Sequence, residues 1–171
     1  MRRLLALILV PLVLLAGCST PSPDATGPLA GVTVTGDVGS APLLEGIEGL
    51  TTDAVVTRVI TEGTGDTVAD ADTIDVHYLL VKAADATELG TTFGDSPAPL
   101  VVDAAGDPLL SANLVGRHVG SRVLLAAPAS EIYGEGVGDL GLVAADTLVV
   151  VVDVMSKFVA PEVTGTIDDV T

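Results

Sequence analysis

Tryptophan is absent from this 171-residue chain, which has only two tyrosines, two phenylalanines, two histidines and one cysteine. With His77 and His118 the only histidines, neither a Ser/His/Asp set nor a His/Cys metal cluster can be assembled with any specificity. A lone cysteine, Cys18, excludes a disulfide within one molecule. Cations are scarce as well: 7 Lys and Arg face 23 Asp and Glu, a formal net charge of −16. That balance excludes nucleic acid, because phosphate neutralisation needs clustered Lys and Arg. It also disfavours adsorption to anionic lipid headgroups. No lysine follows Gly63-Thr-Gly-Asp-Thr as a phosphate loop would require, and no Gly-x-Gly-x-x-Gly opens a helix. The acidic pairs are scattered rather than gathered into one calcium loop, so no metal is expected.

What is present begins with a leader. Met1-Arg-Arg3 is a positively charged start, Leu4 to Leu14 is an apolar run too short for a membrane span, and Leu15-Ala-Gly-Cys18 follows at once. Small residues before a cysteine suit a lipobox, in which the thiol takes a diacylglycerol and the cut leaves Cys18 first. Residues 1–17 are therefore expected to be a lipoprotein signal peptide, and the mature chain to be membrane-anchored by acyl chains at the extracytoplasmic face. Losing Arg2 and Arg3 leaves five basic against 23 acidic residues, a formal net charge of −18. Residues 18–31, rich in Ser, Thr, Pro and Gly, read as a flexible tether.

A lead-in segment at 32–49 opens with the alternating Val32-Thr-Val-Thr35 and continues into an ambiguous Leu43 to Leu50. Thr52 to Ile60 is a β-branched run and predicts a strand. Thr73 to Val81 has period two, with Ile74, Val76, Tyr78 and Leu80 on one face, so a half-buried strand with Tyr78 pointing inward is expected. Lys82 to Gly90 reads as a polar connection, and Leu100-Val-Val102 as a short strand. Asp107-Pro108 is an acceptor followed by proline, the start signal of a helix of about two turns that Gly116 stops. Arg122 to Ala126 and Thr147 to Val154 are strands, the second so apolar that it must be central. The sum is an α+β chain with a mainly antiparallel sheet of five to six strands. The acidic residues 159–171 lack a clear period.

Collinear with these elements run Gly65-Asp-Thr, Val76-His-Tyr78, Phe93 in Phe-Gly-Asp-Ser, Pro108-Leu-Leu-Ser-Ala-Asn-Leu-Val-Gly116, Val119-Gly-Ser-Arg122, Pro128 to Tyr133-Gly134 and Asp146-Thr-Leu-Val149. In this order they resemble the FKBP-type peptidyl-prolyl cis-trans isomerases over about residues 50–158. With the lipobox and Val32-Thr-Val-Thr-Gly-Asp-Val-Gly39, they look like the lipoprotein members of that family found in actinobacteria. The resemblance implies a twisted sheet wrapped around one short helix, and an apolar cavity between them that takes proline. It implies that Tyr78, Phe93 and Tyr133 are the catalytic side chains and that Asp95, Leu100, Leu110, Leu142 and Val150 contact substrate. Departures are also visible: Gly94 stands where the family carries an aspartate, Leu110 where it carries a tryptophan, and Leu100 and Val150 where it carries other aromatics.

The activity so implied is isomerisation of X-Pro bonds in exported proteins. Resonance gives that rotation a barrier of roughly 18 to 20 kcal/mol, and a dry pocket that favours the twisted amide lowers it without nucleophile or cofactor. Proline-containing polypeptides are the expected partners. A binding or chaperone module of the same fold, with little or no catalysis, is the alternative from a different class.

Overall fold

The computed structural model describes residues 27–159. The expected signal peptide, Cys18 and the tail beyond Val159 lie outside that range. The elements run β1 (Thr33–Thr35), β2 (Leu43–Glu45), β3 (Val56–Thr61), β4 (Thr73–Lys82), β5 (Thr87–Thr91), β6 (Ala98–Val101), α1 (Pro108–Leu114), β7 (Arg122–Pro128), α2 (Ala129–Tyr133) and β8 (Thr147–Lys157). Strands β1 and β2 form a small hairpin, and β3 to β8 form one antiparallel sheet in the order β3-β7-β8-β4-β5. The first half of β4 pairs with β6 and its second half with β5.

The valine run of β8 is central, between β4 and β7, and residues Thr147 to Val154 are buried on both faces, as a strand without polar alternation must be. On one face Ile74, Val76, Leu80, Val123, Leu125, Val150 and Val152 pack with Leu114 of α1. Helix α1 forms where its signals stand: Asp107 Oδ1 accepts from the Leu110 amide at 2.8 Å, Pro108 opens the first turn, and Gly116 takes φ 82° just past the end.

The other face of the sheet is covered too, which the period of β4 alone does not predict. Leu79, Val81, Leu124, Ala126, Val149 and Val151 meet Leu29, Val32 and Ile47 from the N-terminal segment. Leu29 is buried within a 3-10 turn, Pro28–Gly31, so the stretch expected to be tether through residue 31 joins the packed structure by Pro28. Two guanidinium groups fasten this layer. Arg58 donates to the carbonyls of Leu29 (2.7 Å) and Val32 (2.5 Å). Arg122 forms a bidentate pair with Asp153, both bonds 2.6 Å and both side chains wholly buried. Its remaining donors reach the carbonyls of Gly36 (2.8 Å), Asp37 (3.0 Å) and Ser40 (2.7 Å), while the Gly39 amide donates to Asp153 Oδ2 at 2.7 Å.

Two strand expectations shift. Strand β3 starts at Val56 rather than Thr52, because the Thr52 hydroxyl turns the chain on itself, accepting from the Ala54 amide and donating to the Ala54 carbonyl. The stretch read as a polar connection contains β5, an edge strand whose residues are half-exposed or exposed and so carry no apolar period.

Candidate functional site

Period two along β4 sends Val76, Tyr78 and Leu80 toward α1, where Val150 and Val152 of β8, Leu109 and Leu110 of α1, Asp107 and Ile132 of α2 complete a cavity of about 120 Å³. Its walls are hydrocarbon apart from the Tyr78 phenol and the Asp107 carboxylate, and Asp107 is committed to the helix cap. An apolar cavity of ~150 Å³ stays dry and takes a six-membered ring, so a void of this size suits the smaller pyrrolidine ring. Among the described residues, no three His, Cys, Asp or Glu side chains converge to hold a metal.

Tyr78 is anchored through its backbone. Its amide donates to Thr92 Oγ1 at 2.9 Å and its carbonyl accepts from Thr91 Oγ1 at 3.0 Å, and among the described residues no protein group bonds its hydroxyl. Tyr133 ends α2 with 36% of its surface exposed. Partial burial of its ring, and secondarily the nearby Tyr78 phenol, push the Tyr133 hydroxyl above the usual tyrosine pKa. Both effects keep it protonated, a hydrogen-bond donor near Tyr78, although Tyr133 is not among the residues that line the cavity.

The structure brings Tyr78, Leu110 and Val150 together in the cavity wall. Leu100, on β6, packs half-buried against the adjoining core, and Leu142 is buried within that core under the loop after α2. Neither lines the cavity.

Phe93 and Asp95 do not belong to the site. Cross-strand partners share a face, and the partners here are Leu79 with Thr91 and Leu80 with Gly90. Past Thr91 the chain turns, and Phe93 falls on the N-terminal side of the sheet, stacked on His77 with ring centroids 5.0 Å apart and 5.9 Å from the Arg122 guanidinium carbon. Asp95 is exposed in the same turn, its amide donating to the Thr92 carbonyl at 3.1 Å. Gly90 is the glycine that faces the tyrosine, since a Cβ there would stand 3.8 Å from the Tyr78 ring and 3.9 Å from its hydroxyl, whereas a Cβ at Gly94 would meet nothing within 4 Å.

Sequence reasoning missed Leu109, Ile132 and Val152 as wall residues. Val152 had a usable signal, since it lies two residues from Val150 on the same strand and hence on the same face. Ile132 had none, because α2 is a helix of five residues with no period to read.

No family model and no curated protein matches the sequence. Solved structures do resemble the fold. A peptidyl-prolyl cis-trans isomerase from Pseudomonas syringae aligns over 63% of this chain and 77% of its own, at 23% identity and TM-score 0.50. FkpA from Escherichia coli aligns over 67% of this chain at 25% identity and TM-score 0.52, and the alignment spans 54% of FkpA, about half its length. The N-terminal domain of FKBP42 from Arabidopsis thaliana is covered completely, over 72% of this chain, at 20% identity and TM-score 0.52. The architecture is FKBP-like, an α+β fold whose antiparallel six-stranded sheet wraps a short helix.

Proposed function

We propose that this chain is a peptidyl-prolyl cis-trans isomerase that takes the proline ring of an exported polypeptide into the Tyr78, Leu110, Val150 cavity. The observation that carries the reading is the cavity itself, a ring-sized apolar void in an FKBP-like fold. A planar amide is strongly dipolar through resonance, and twisting the C–N bond removes that resonance. A low-dielectric wall of Val76, Leu80, Leu110, Ile132 and Val150 stabilises the dipolar planar form less than water does, so the twisted form gains relative to it. Each 1.36 kcal/mol of such difference is tenfold in rate. The hydroxyls of Tyr78 and Tyr133 supply O–H donors for substrate carbonyls outside the ring. No proton is transferred and no covalent intermediate is needed. Protease-coupled isomerisation of a Leu-Pro peptide is expected to run faster than the uncatalysed reaction in proportion to protein added. A rate equal to the uncatalysed one at micromolar protein rules the reading out.

The same proposal places the protein outside the cytoplasmic membrane, held by lipid on Cys18 after removal of residues 1–17. The support is the lipobox together with an acidic chain ill suited to bind anionic headgroups directly. Palmitate label is expected to enter the protein in a bacterial host and to be lost in Cys18→Ser; label that survives the substitution contradicts the anchor.

A further inference from the structure

Every cation among the described residues is already engaged. Lys82 pairs with Asp146 at 3.1 Å, Lys157 with Asp72 at 2.6 Å, Arg117 with Glu62 at 3.6 Å and Arg122 with Asp153, while Arg58 is spent on the carbonyls of Leu29 and Val32. None of the five lines the cavity or the grooves beside it. The charge there is carboxylate alone.

One of those grooves adjoins the cavity. A shallower depression of about 230 Å³ is lined by Val55, Pro108, Leu109, Ala112, Asn113 and Glu131. Leu109 is a wall of both spaces, and Glu131 directly precedes Ile132, a cavity wall. The Asn113 side chain is fixed, accepting from Thr57 Oγ1 at 2.5 Å and donating to the Leu109 carbonyl at 2.7 Å. Glu131 is the groove's only ionisable side chain, and among the described residues it accepts no hydrogen bond and pairs with no cation.

We infer that this groove is a specificity subsite for a lysine or arginine next to the proline. It rests on the reading that proline occupies the cavity. A partition one side chain thick is crossed by one residue step of extended chain, ~3.5 Å, together with the reach of a long basic side chain. The aliphatic stem of the basic residue lies along Val55, Pro108, Leu109 and Ala112, and its charged end meets the Glu131 carboxylate. A glutamate in the same place meets repulsion and no cation. The substrate class is thus X-Pro segments with a basic neighbour.

The test compares peptides identical except for Lys, Leu or Glu beside proline, on either side, by NMR exchange between their cis and trans signals. Binding is followed on the amide signals of Val55 and Ala112. The expected order is Lys over Leu over Glu, with Lys exceeding Glu about tenfold at low salt and less at 0.5 M NaCl. Net charge alone favours cationic peptides everywhere, so the deciding variant is Glu131→Gln beside the remote control Glu48→Gln. Glu131→Gln is expected to remove most of the preference and Glu48→Gln to leave it intact. Catalysis without the ranking, or a ranking indifferent to Glu131→Gln, overturns the subsite and leaves the isomerase reading standing. No catalysis with any peptide overturns the isomerase reading, and the ranking in binding still decides the subsite.

Discussion

Phe93 sits between His77 and Arg122 on the face of the sheet that the N-terminal segment covers, so its energetic role is packing. Truncating a buried phenylalanine costs about 3 to 5 kcal/mol, and a half-buried one less, about 2 kcal/mol. Phe93→Ala is therefore expected to lower unfolding free energy by about that much in urea and to leave kcat/KM on a prolyl peptide within twofold. Leu110→Asp is expected to do the reverse kind of damage: a carboxylate in the cavity wall removes turnover more than tenfold while near-native circular dichroism persists. Equal loss of turnover in the two variants contradicts the assignment of faces. The contrast marks what the sequence made legible. Tyr78 was readable because a ten-residue strand has a period, and period fixes a face. Phe93 lies just beyond β5, and its face follows from the pairing of Thr91 with Leu79, a register that the polar residues of β5 do not display.

Arg122 and Asp153 face each other as direct partners across β7 and β8, a buried charge pair where Arg122 opens β7. The signal is present, an acid at the end of Thr147-Leu-Val-Val-Val-Val152, but its partner Arg122 stands 31 residues earlier and the Gly39 amide that it holds 114 residues earlier. The same holds for the hairpin of β1 and β2: its three-residue strands have little pattern of their own and gain their place from Leu29, Val32 and Ile47 meeting the sheet. Helix α1, by contrast, is specified locally by its cap and its stop. Removing one member of a wholly buried pair leaves an uncompensated charge, at a cost of about 3 to 5 kcal/mol. Asp153→Asn is expected to show that loss in denaturant unfolding, against a total of about 5 to 15 kcal/mol. The double variant Arg122→Met, Asp153→Leu is expected to recover much of the stability but not the hairpin, because the carbonyls of Gly36, Asp37 and Ser40 lose their donors. Limited proteolysis near residues 36–40 reads the second effect. A double variant as weak as Asp153→Asn shows that the charge is not the source of the loss.

Across the whole molecule, a net charge of −16 sets attraction against repulsion, and magnitudes decide which governs the response to salt. The solvent-touching pairs Lys82–Asp146, Arg117–Glu62 and Lys157–Asp72 are screened by water and contribute little each. Two like charges 10 Å apart in water repel by about 0.4 kcal/mol, and an excess of this size produces many such terms. Raising NaCl from 10 mM to 0.5 M shortens the screening length from about 30 Å to about 4 Å and suppresses the distant repulsions more than the contacts. Tm at pH 7 is therefore expected to rise with salt, by about 4 °C for each kcal/mol relieved. A Tm that falls with salt means that the surface pairs dominate. Acid acts on the pairs instead. Asp146 is held below its ordinary value of 3.8 by the Val143 amide and then by Lys82, and Asp72 by Lys157 and then by the Ala69 amide. Carboxylates with depressed values stabilise the fold above the unfolded pKa, and that contribution disappears as pH falls through the folded one. Tm in high salt should thus hold from neutrality to about pH 4 and decline below it. Asp146→Asn should lie under the wild type above that point and converge with it beneath, which ties the decline to this carboxylate.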